Sequence, residues 1–277
     1  PVTVAGPTGS PNVSGYAVRA GTAVVELADA CGIVHLPGGV KAPLTATSRG
    51  LGQVLAAALD DPSVTSVVMG IGGSASNDGG AGMLAALGAR LLDAGGRELP
   101  DGGGALVDLA ALDLSGLHPR LREVSLTVAC DVNNPLLGEP GAVAIFGPQK
   151  GAGEAERVVL EAGLARFASL VTEAMRRDDT GLPGAGAAGG VGYAAQAVLG
   201  AAMRPGVELV LELMGFEALC EGASLVVTGE GSLDRQTLLG KTPAGVARAA
   251  QAHGIPVVAV CGRSLLSAED VAASGIA

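Results

Sequence analysis

Residues 70–80, Gly70-Ile71-Gly72-Gly73-Ser74-Ala75-Ser76-Asn77-Asp78-Gly79-Gly80, constrain this chain more than any other stretch, because they set a carboxylate inside a glycine turn. Residues 64–69 (VTSVVM) before it are β-branched and apolar with the length of a buried strand, and residues 81–87 (AGMLAAL) after it are helix formers. A strand, a glycine turn and a helix in that order build parallel α/β sheets. Glycine lets backbone N–H groups approach an anion, and the helix start adds partial positive charge. Asp78 complicates a plain phosphate turn. Its carboxylate repels such a ligand unless a metal ion offsets the charge or it serves as base for an incoming hydroxyl. Asp is also a good helix cap, and the roles can coexist.

With 45 Gly, two Tyr, three Phe and no Trp in 277 residues, the core has to be built from Ala, Val and Leu, which suits an α/β protein of one large or two modest domains. Net charge is −10 and Lys and Arg form no cluster, which argues against a nucleic-acid surface. A small anionic substrate needs only a few local donors and stays compatible. Cys31, Cys130, Cys220 and Cys261 are far apart without a C-x-x-C pair, so neither a zinc site nor a disulfide framework is expected. Cys130 and Cys261 end apolar runs and read as buried core thiols. No run approaches the roughly 18 apolar residues of a membrane span, and no signal peptide is visible. A soluble cytoplasmic protein is expected, and Pro1 and Ala277 read as cut ends.

Along the chain, residues 1–21 are rich in Gly, Pro and Ser, and a strand at 22–27 ends near Glu26. Ser48 reads as the N-cap of an amphipathic helix at 50–59. A short strand at 89–92, helical pieces at 105–110 and a strong strand at 124–130 follow. That strand runs into Asp131-Val132-Asn133-Asn134-Pro135, where an open α/β sheet places ligands, with a structural Asx-turn as the competing reading. Lys150 sits in the glycine-rich 138–153, able to meet a phosphate or carboxylate or to be an ordinary surface lysine. A long helix is expected over 154–177. Residues 184–192 (GAGAAGGVG) match G-x-G-x-x-G but follow a helix and not a strand, which rejects a dinucleotide site and leaves close helix packing or a second anion turn.

A strand at 223–228 leads into Gly229-Glu230-Gly231-Ser232-Leu233-Asp234, where Glu230 and Asp234, four apart across a turn, are able to hold Mg²⁺. Gly240-Lys241-Thr242-Pro243 fails the Walker A spacing, yet Lys241 opens a helix at 243–253 and can meet phosphate. A last strand covers 255–261. Leu211, Leu213, Met214 and Phe216 read as core in preference to an interface, and a homodimer stays open.

The segments GIGGSASNDGG (70–80), CDVNNPLLG (130–138), FGPQKGA (146–152), PGAGAAGG (183–190) and VVTGEGSLDRQTLLGKTPAGVA (226–247) together resemble the type I glycerate kinases of bacteria, in the same order over about 180 residues. The resemblance implies transfer of the ATP γ-phosphate to D-glycerate with Mg²⁺, giving 2-phosphoglycerate. It implies two α/β domains, one Rossmann- or flavodoxin-like and discontinuous, the other inserted within it. Residues 1–205 then form the inserted domain carrying the turn, and 206–277 part of the other. Members carry a DSFKG-type strand, an ADGGEGT-type motif and a final strand and helices that this chain lacks, so the second domain is expected to be incomplete. Under this resemblance Asp78 is the expected base, and Gly72, Gly73, Ser74, Asn77 and Asp131 bind substrate. Lys150 and Lys241 neutralise phosphate, Gly229, Gly231 and Thr242 line the ATP site, and Glu230 and Asp234 organise Mg²⁺. Competing readings are a kinase of another small hydroxy acid, one giving 3-phosphoglycerate, or a non-catalytic anion-binding module.

Overall fold

The computed structural model describes residues 1–234 and 242–276, and the chain divides into two compact units, Pro1–Met203 and Arg204–Ala277. In the first, the glycine-rich start forms strands and not loop. β1 (Val2–Ala5) and β2 (Pro11–Ser14) pair antiparallel, and Asn12 anchors the hairpin by donating to the carbonyls of Asp29 and Ala30.

The main sheet of this unit has β3 (Tyr16–Arg19) antiparallel to β4 (Thr22–Glu26), then β5 (Ser66–Gly70), β8 (Ser125–Ala129) and β9 (Ala202–Arg204) in that spatial order. β6 (Arg90–Leu92) and β7 (Ala111–Asp113) form a separate small ribbon. Alternation explains the sheet's packing: Ala23 and Val25, Val67 and Met69, Leu126 and Val128 are buried, while the residues between them are partly exposed. β4, β5 and β8 are parallel and in register, with Glu26, Gly70 and Ala129 in one row, so three strands deliver their chains to the same edge.

Helices cover this sheet with small residues at their contacts. α1 (Leu27–Cys31) follows β4 directly, and α2 (Arg49–Asp60) buries Leu51, Val54, Leu55, Ala58 and Leu59, a 3.6-period stripe. α2 lies against α3 (Ala81–Ala86) so closely that a Cβ at Gly52 would overlap the Met83 carbonyl. α4 (Ala142–Phe146) precedes α5 (Glu154–Met175), which buries Leu160, Leu164, Phe167 and Val171, though Val158 at its start is exposed. The Phe167 ring meets Tyr193 of α6 (Ala187–Ala197) edge-on at 6.1 Å.

The 184–192 run proves to be a close-packing device. Ala188, Gly189 and Gly190 are all left-handed, and the Gly189 carbonyl accepts from Gly79 N at 2.9 Å. This backbone contact clasps the exit of the 70–80 turn.

The second unit pairs β10 (Val226–Leu233) in parallel with β11 (Val257–Ser264), around a small core that includes Cys220, Ala247, Ala250, Ile255 and Val257. Its helices are α7 (Gly206–Met214), α8 (Phe216–Cys220), α9 (Thr242–Gln251) and α10 (Ala268–Ala273). Two expectations are corrected here. β10 continues through the residues read as a turn, because Gly229, Glu230, Ser232 and Leu233 all pair with β11. The Leu211–Phe216 cluster is not solid core: Met214 is 61% exposed, and Leu211, Leu213 and Phe216 are half-buried. Cys130 and Cys261 are likewise only partly buried, whereas Cys31 and Cys220 are buried and all four thiols are free.

A Cβ at Gly189 would overlap the Ser76 carbonyl and sit 2.9 Å from Lys150 Nζ, at a φ of +68° that L-residues rarely adopt. Gly189→Ala is therefore expected to cost at least about 2 kcal/mol in urea unfolding. A loss below about 0.5 kcal/mol would mean that the clasp yields easily.

Candidate functional site

The row of strand ends at Glu26, Gly70 and Ala129 forms the base of the site, since ligands of open α/β sheets bind beyond the carboxyl ends of the strands. From β5 the chain enters the turn with Ile71 buried and Gly72 and Gly73 exposed. The Gly73 carbonyl accepts from Ile33 N at 2.8 Å, which fixes this exposed pair against the segment after α1. Among the described residues nothing beyond its chain neighbours lies within 4 Å of where a Cβ would stand at Gly72, so its face is open to a ligand. Ser74 is nearly buried, and from there to Gly80 the turn runs inside the protein.

Asp78 has no exposed surface. Its Oδ2 accepts from the backbone N and the hydroxyl of Ser48, both at 2.8 Å, and from Gly82 N at 3.2 Å, while Oδ1 accepts from Gly80 N at 3.1 Å. Burial pushes the Asp78 pKa up, opposed by the bonds from Ser48, Gly80 and Gly82, which favour the ionised form. In this structure the carboxylate is turned inward, with four donors upon it. Its chemistry here is to tie the starts of α2 and α3 to the turn.

Ser48 is the residue that local reading missed. It was expected to cap α2, but its side chain makes no cap bond to that helix, and Thr47 Oγ1 instead accepts from Arg49 N at 3.1 Å. The Ser48 hydroxyl donates to Asp78 and accepts from Met83 N of α3 at 2.9 Å. A hydroxyl-rich Thr45-Ala46-Thr47-Ser48 run was the only signal, since a contact across thirty residues leaves no local pattern.

Lys150 closes a 3₁₀ turn, Pro148–Lys150, and is only 3% exposed. Its Nζ donates to the Ser76 carbonyl at 2.6 Å, reaching the turn from within. Desolvation drives its pKa down to about 7, against a smaller opposing pull from the Asp78 charge. Ser76 Oγ and Asn77 Oδ1 are buried without a partner among the described residues, although Asn77 Nδ2 reaches the Pro43 carbonyl at 3.3 Å. The buried, desolvated Cys31 thiol, pushed up to about 12, is no nucleophile.

Asp131 is exposed two residues past the end of β8. Asn133 is exposed beside it, whereas Asn134 is structural: its Nδ2 donates to the Pro140 carbonyl at 2.8 Å and its carbonyl accepts from Gly186 N. Seven expected site residues thus belong to the first unit, of which Gly72, Gly73, Ser74, Asn77 and Asp78 lie on one turn that Lys150 also reaches, while Asp131 follows β8.

Gly229, Glu230, Gly231, Asp234 and Thr242 belong to the second unit, and Lys241 lies outside the described residues. Glu230 and Leu233 are three strand residues apart, about 10 Å at the usual rise, with Asp234 beyond. The segment expected to be a turn between Glu230 and Asp234 is thus strand as far as Leu233. Among the described residues no group of three or more His, Cys, Asp or Glu is placed to hold a metal, and no helix is long and apolar enough to cross a membrane.

A parallel α/β unit with an open glycine turn at its strand ends and a buried lysine behind it has the make-up of an enzyme site for small anions. Comparison with known proteins narrows this. The glycerate kinase family matches residues 1–277. The chain is 47% identical to a glycerate kinase of Bacillus subtilis, over 94% of this chain and 68% of that one. It is also 47% identical to the glycerate 2-kinase of Escherichia coli, over 87% of this chain and 63% of that one. A Salmonella typhimurium LT2 crystal structure assigned as glycerate kinase 2 superimposes with a TM-score of 0.85 at 45% identity, over 96% of this chain and 71% of that chain. The chain belongs to the glycerate kinase family, whose members are phosphotransferases, and it spans about two thirds of the length of these relatives.

The Lys150 shift has a sign that can be checked. Between about 7 and the ordinary lysine value of 10.5 the unfolded chain holds more protons than the folded one, so stability rises with pH across that window. Lys150→Met is expected to flatten this rise, by up to about 1.4 kcal/mol per pH unit, in urea unfolding followed from pH 6 to 10. Parallel profiles for the two proteins would place Lys150 in a solvated setting.

Proposed function

We propose that the protein phosphorylates D-glycerate with ATP and Mg²⁺ and forms 2-phosphoglycerate. The observation that carries this reading is the exposed Gly72-Gly73 pair at the ends of three parallel strands, backed by the Lys150 ammonium on the Ser76 carbonyl. It is joined by family membership over the whole chain, and similarity to the glycerate 2-kinase of Escherichia coli supports the 2-position.

Glycerate brings a carboxylate, and its partner brings a triphosphate, so the protein's main task is to hold two anions in line while offsetting their charge. The backbone N–H groups of Gly72 and Gly73 and the hydroxyl of Ser74 take the glycerate carboxylate. Asp131 and Asn77 fix the rest of the small acid. Lys150 sets a positive field beneath the turn and stabilises the charge that develops on the transferring group. Asp78 holds the turn's shape. A loose phosphoryl-transfer transition state asks little of a base, so an inward-facing carboxylate is no obstacle.

Gly229, Gly231, Lys241 and Thr242 are the proposed nucleotide contacts. The open face of Gly231, with nothing among the described residues within 4 Å of a would-be Cβ, suits close approach of a phosphate. Mg²⁺ fits the donor chemistry, since one carboxylate with phosphate and water oxygens satisfies this hard cation, and Glu230 or Asp234 would hold it. When bound, it supplies charge neutralisation at the phosphates.

Coupled ADP release with D-glycerate, ATP and Mg²⁺, followed by ³¹P NMR of the product, tests this directly. The expected outcome is turnover that EDTA abolishes and a phosphomonoester on the 2-hydroxyl. A 3-phosphoglycerate signal would overturn the assigned position, and turnover with other hydroxy acids alone would overturn the acceptor.

A further inference from the structure

The end of the 70–80 turn is held from three sides. Lys150 takes the Ser76 carbonyl, Gly189 takes the Gly79 N–H, and Ser48 takes the Asp78 carboxylate. Ser48 differs from the other two in being a hydroxyl that works in both directions. It has no exposed surface, its proton goes to Asp78 Oδ2, and its lone pair receives Met83 N. Its own backbone N–H doubles the bond to the same carboxylate oxygen.

A residue needed only to cap α3 could be any small acceptor. An Asp in this place would bring an acceptor oxygen against Asp78, and an Asn would need two atoms where the hydroxyl gives and takes a bond through one, so the doubled role suits a hydroxyl. Besides the direct packing of α2 on α3, this hydroxyl is the polar link that joins the α2 start to both Asp78 and α3. Through Asp78 it ties the α2 start to the turn that presents Gly72 and Gly73.

We infer that Ser48 is a positioning residue for phosphoryl transfer, acting through Asp78 to hold the glycine turn in its substrate-accepting shape. The inference rests on the proposed glycerate kinase reading of that turn. Removing the hydroxyl leaves Met83 N and one Asp78 lone pair without a partner in a place closed to water. The turn relaxes, and small displacements of a positioned substrate cost rate steeply.

The test is a double-mutant cycle on the intact protein with Ser48→Ala, Asp78→Asn and the pair. Ser48→Ala is expected to lower kcat at least about tenfold while the KM for ATP stays within about twofold. The paired variant should fall no further than Asp78→Asn alone, because both act through one link. Multiplying losses, or full kcat per folded molecule, would overturn the inference. If the alanine variant does not fold, Ser48→Cys keeps the volume with a weaker donor and is read by the same criteria.

Hydrogen exchange separates this inference from the kinase reading. In Ser48→Ala, amides of residues 74–83 should exchange at least about tenfold faster while those of the buried face of α5 hold their rates. Uniform acceleration would mean a general structural role and sink the proposal. Absence of turnover in the unaltered protein would refute the kinase reading alone, with the exchange pattern still deciding whether Ser48 governs the turn.

Discussion

A carboxyl group with no exposed surface has to be satisfied where it lies, and Asp78 is satisfied by donors from two separate parts of the chain, Ser48 before α2 and the Gly80–Gly82 stretch that opens α3. Leaving a charge of that kind unpaired costs several kcal/mol, so neither α2, α3 nor the turn can be placed without the other two. The upward shift of the Asp78 pKa says that burial outweighs the four donors, and the group is held at a cost. Natural chains tolerate such costs where the geometry is needed for something else. Here the geometry is an exposed pair of glycines at the ends of three parallel strands.

Close backbone approach is the second constraint, and it explains why so many glycines serve one small region. The Gly189 carbonyl reaches Gly79 N because no side chain keeps the two segments apart. Gly103 does the same on another side, where a Cβ would overlap the Asn77 carbonyl. With few aromatic rings to fill space, the fold gains packing density from backbone against backbone, and Phe167 with Tyr193 supplies the one ring pair among the described residues.

Much of this was legible in the chain. Strands at 64–69 and 124–130 and the helices at 50–59 and 154–177 appear within a few residues of expectation, because β-branched runs and a 3.6-period stripe are local signals. The turn residues were legible for the same reason. Three things were not. The strands inside 1–21 depend on Asn12 reaching the backbone near α1, and β10 runs past Thr228 because β11 pairs with it. Both are tertiary effects that override glycine's local preference. Ser48 is the third, since its partners are an aspartate thirty residues away and an amide thirty-five residues away. Local reading ranked it as an α2 cap, the right kind of residue with the wrong helix.

Asp78 and Lys150 together resolve the difficulty of a carboxylate at an anion turn. All four bonds to Asp78 come from Ser48 before α2 and from Gly80 and Gly82 at the turn's exit, so its oxygens are directed inward. Lys150 carries the opposite imbalance: it is desolvated, with a single acceptor at Ser76 and a pKa near 7. An incoming anion shifts that balance, because negative charge close to a buried amine favours its protonated form. On the proposed reading of the turn, an anion held there would favour the charged form of Lys150, and the burial that lowers its pKa leaves room for that response near neutral pH. The packing that clasps the turn and the desolvation of the amine behind it are thus one feature of the fold.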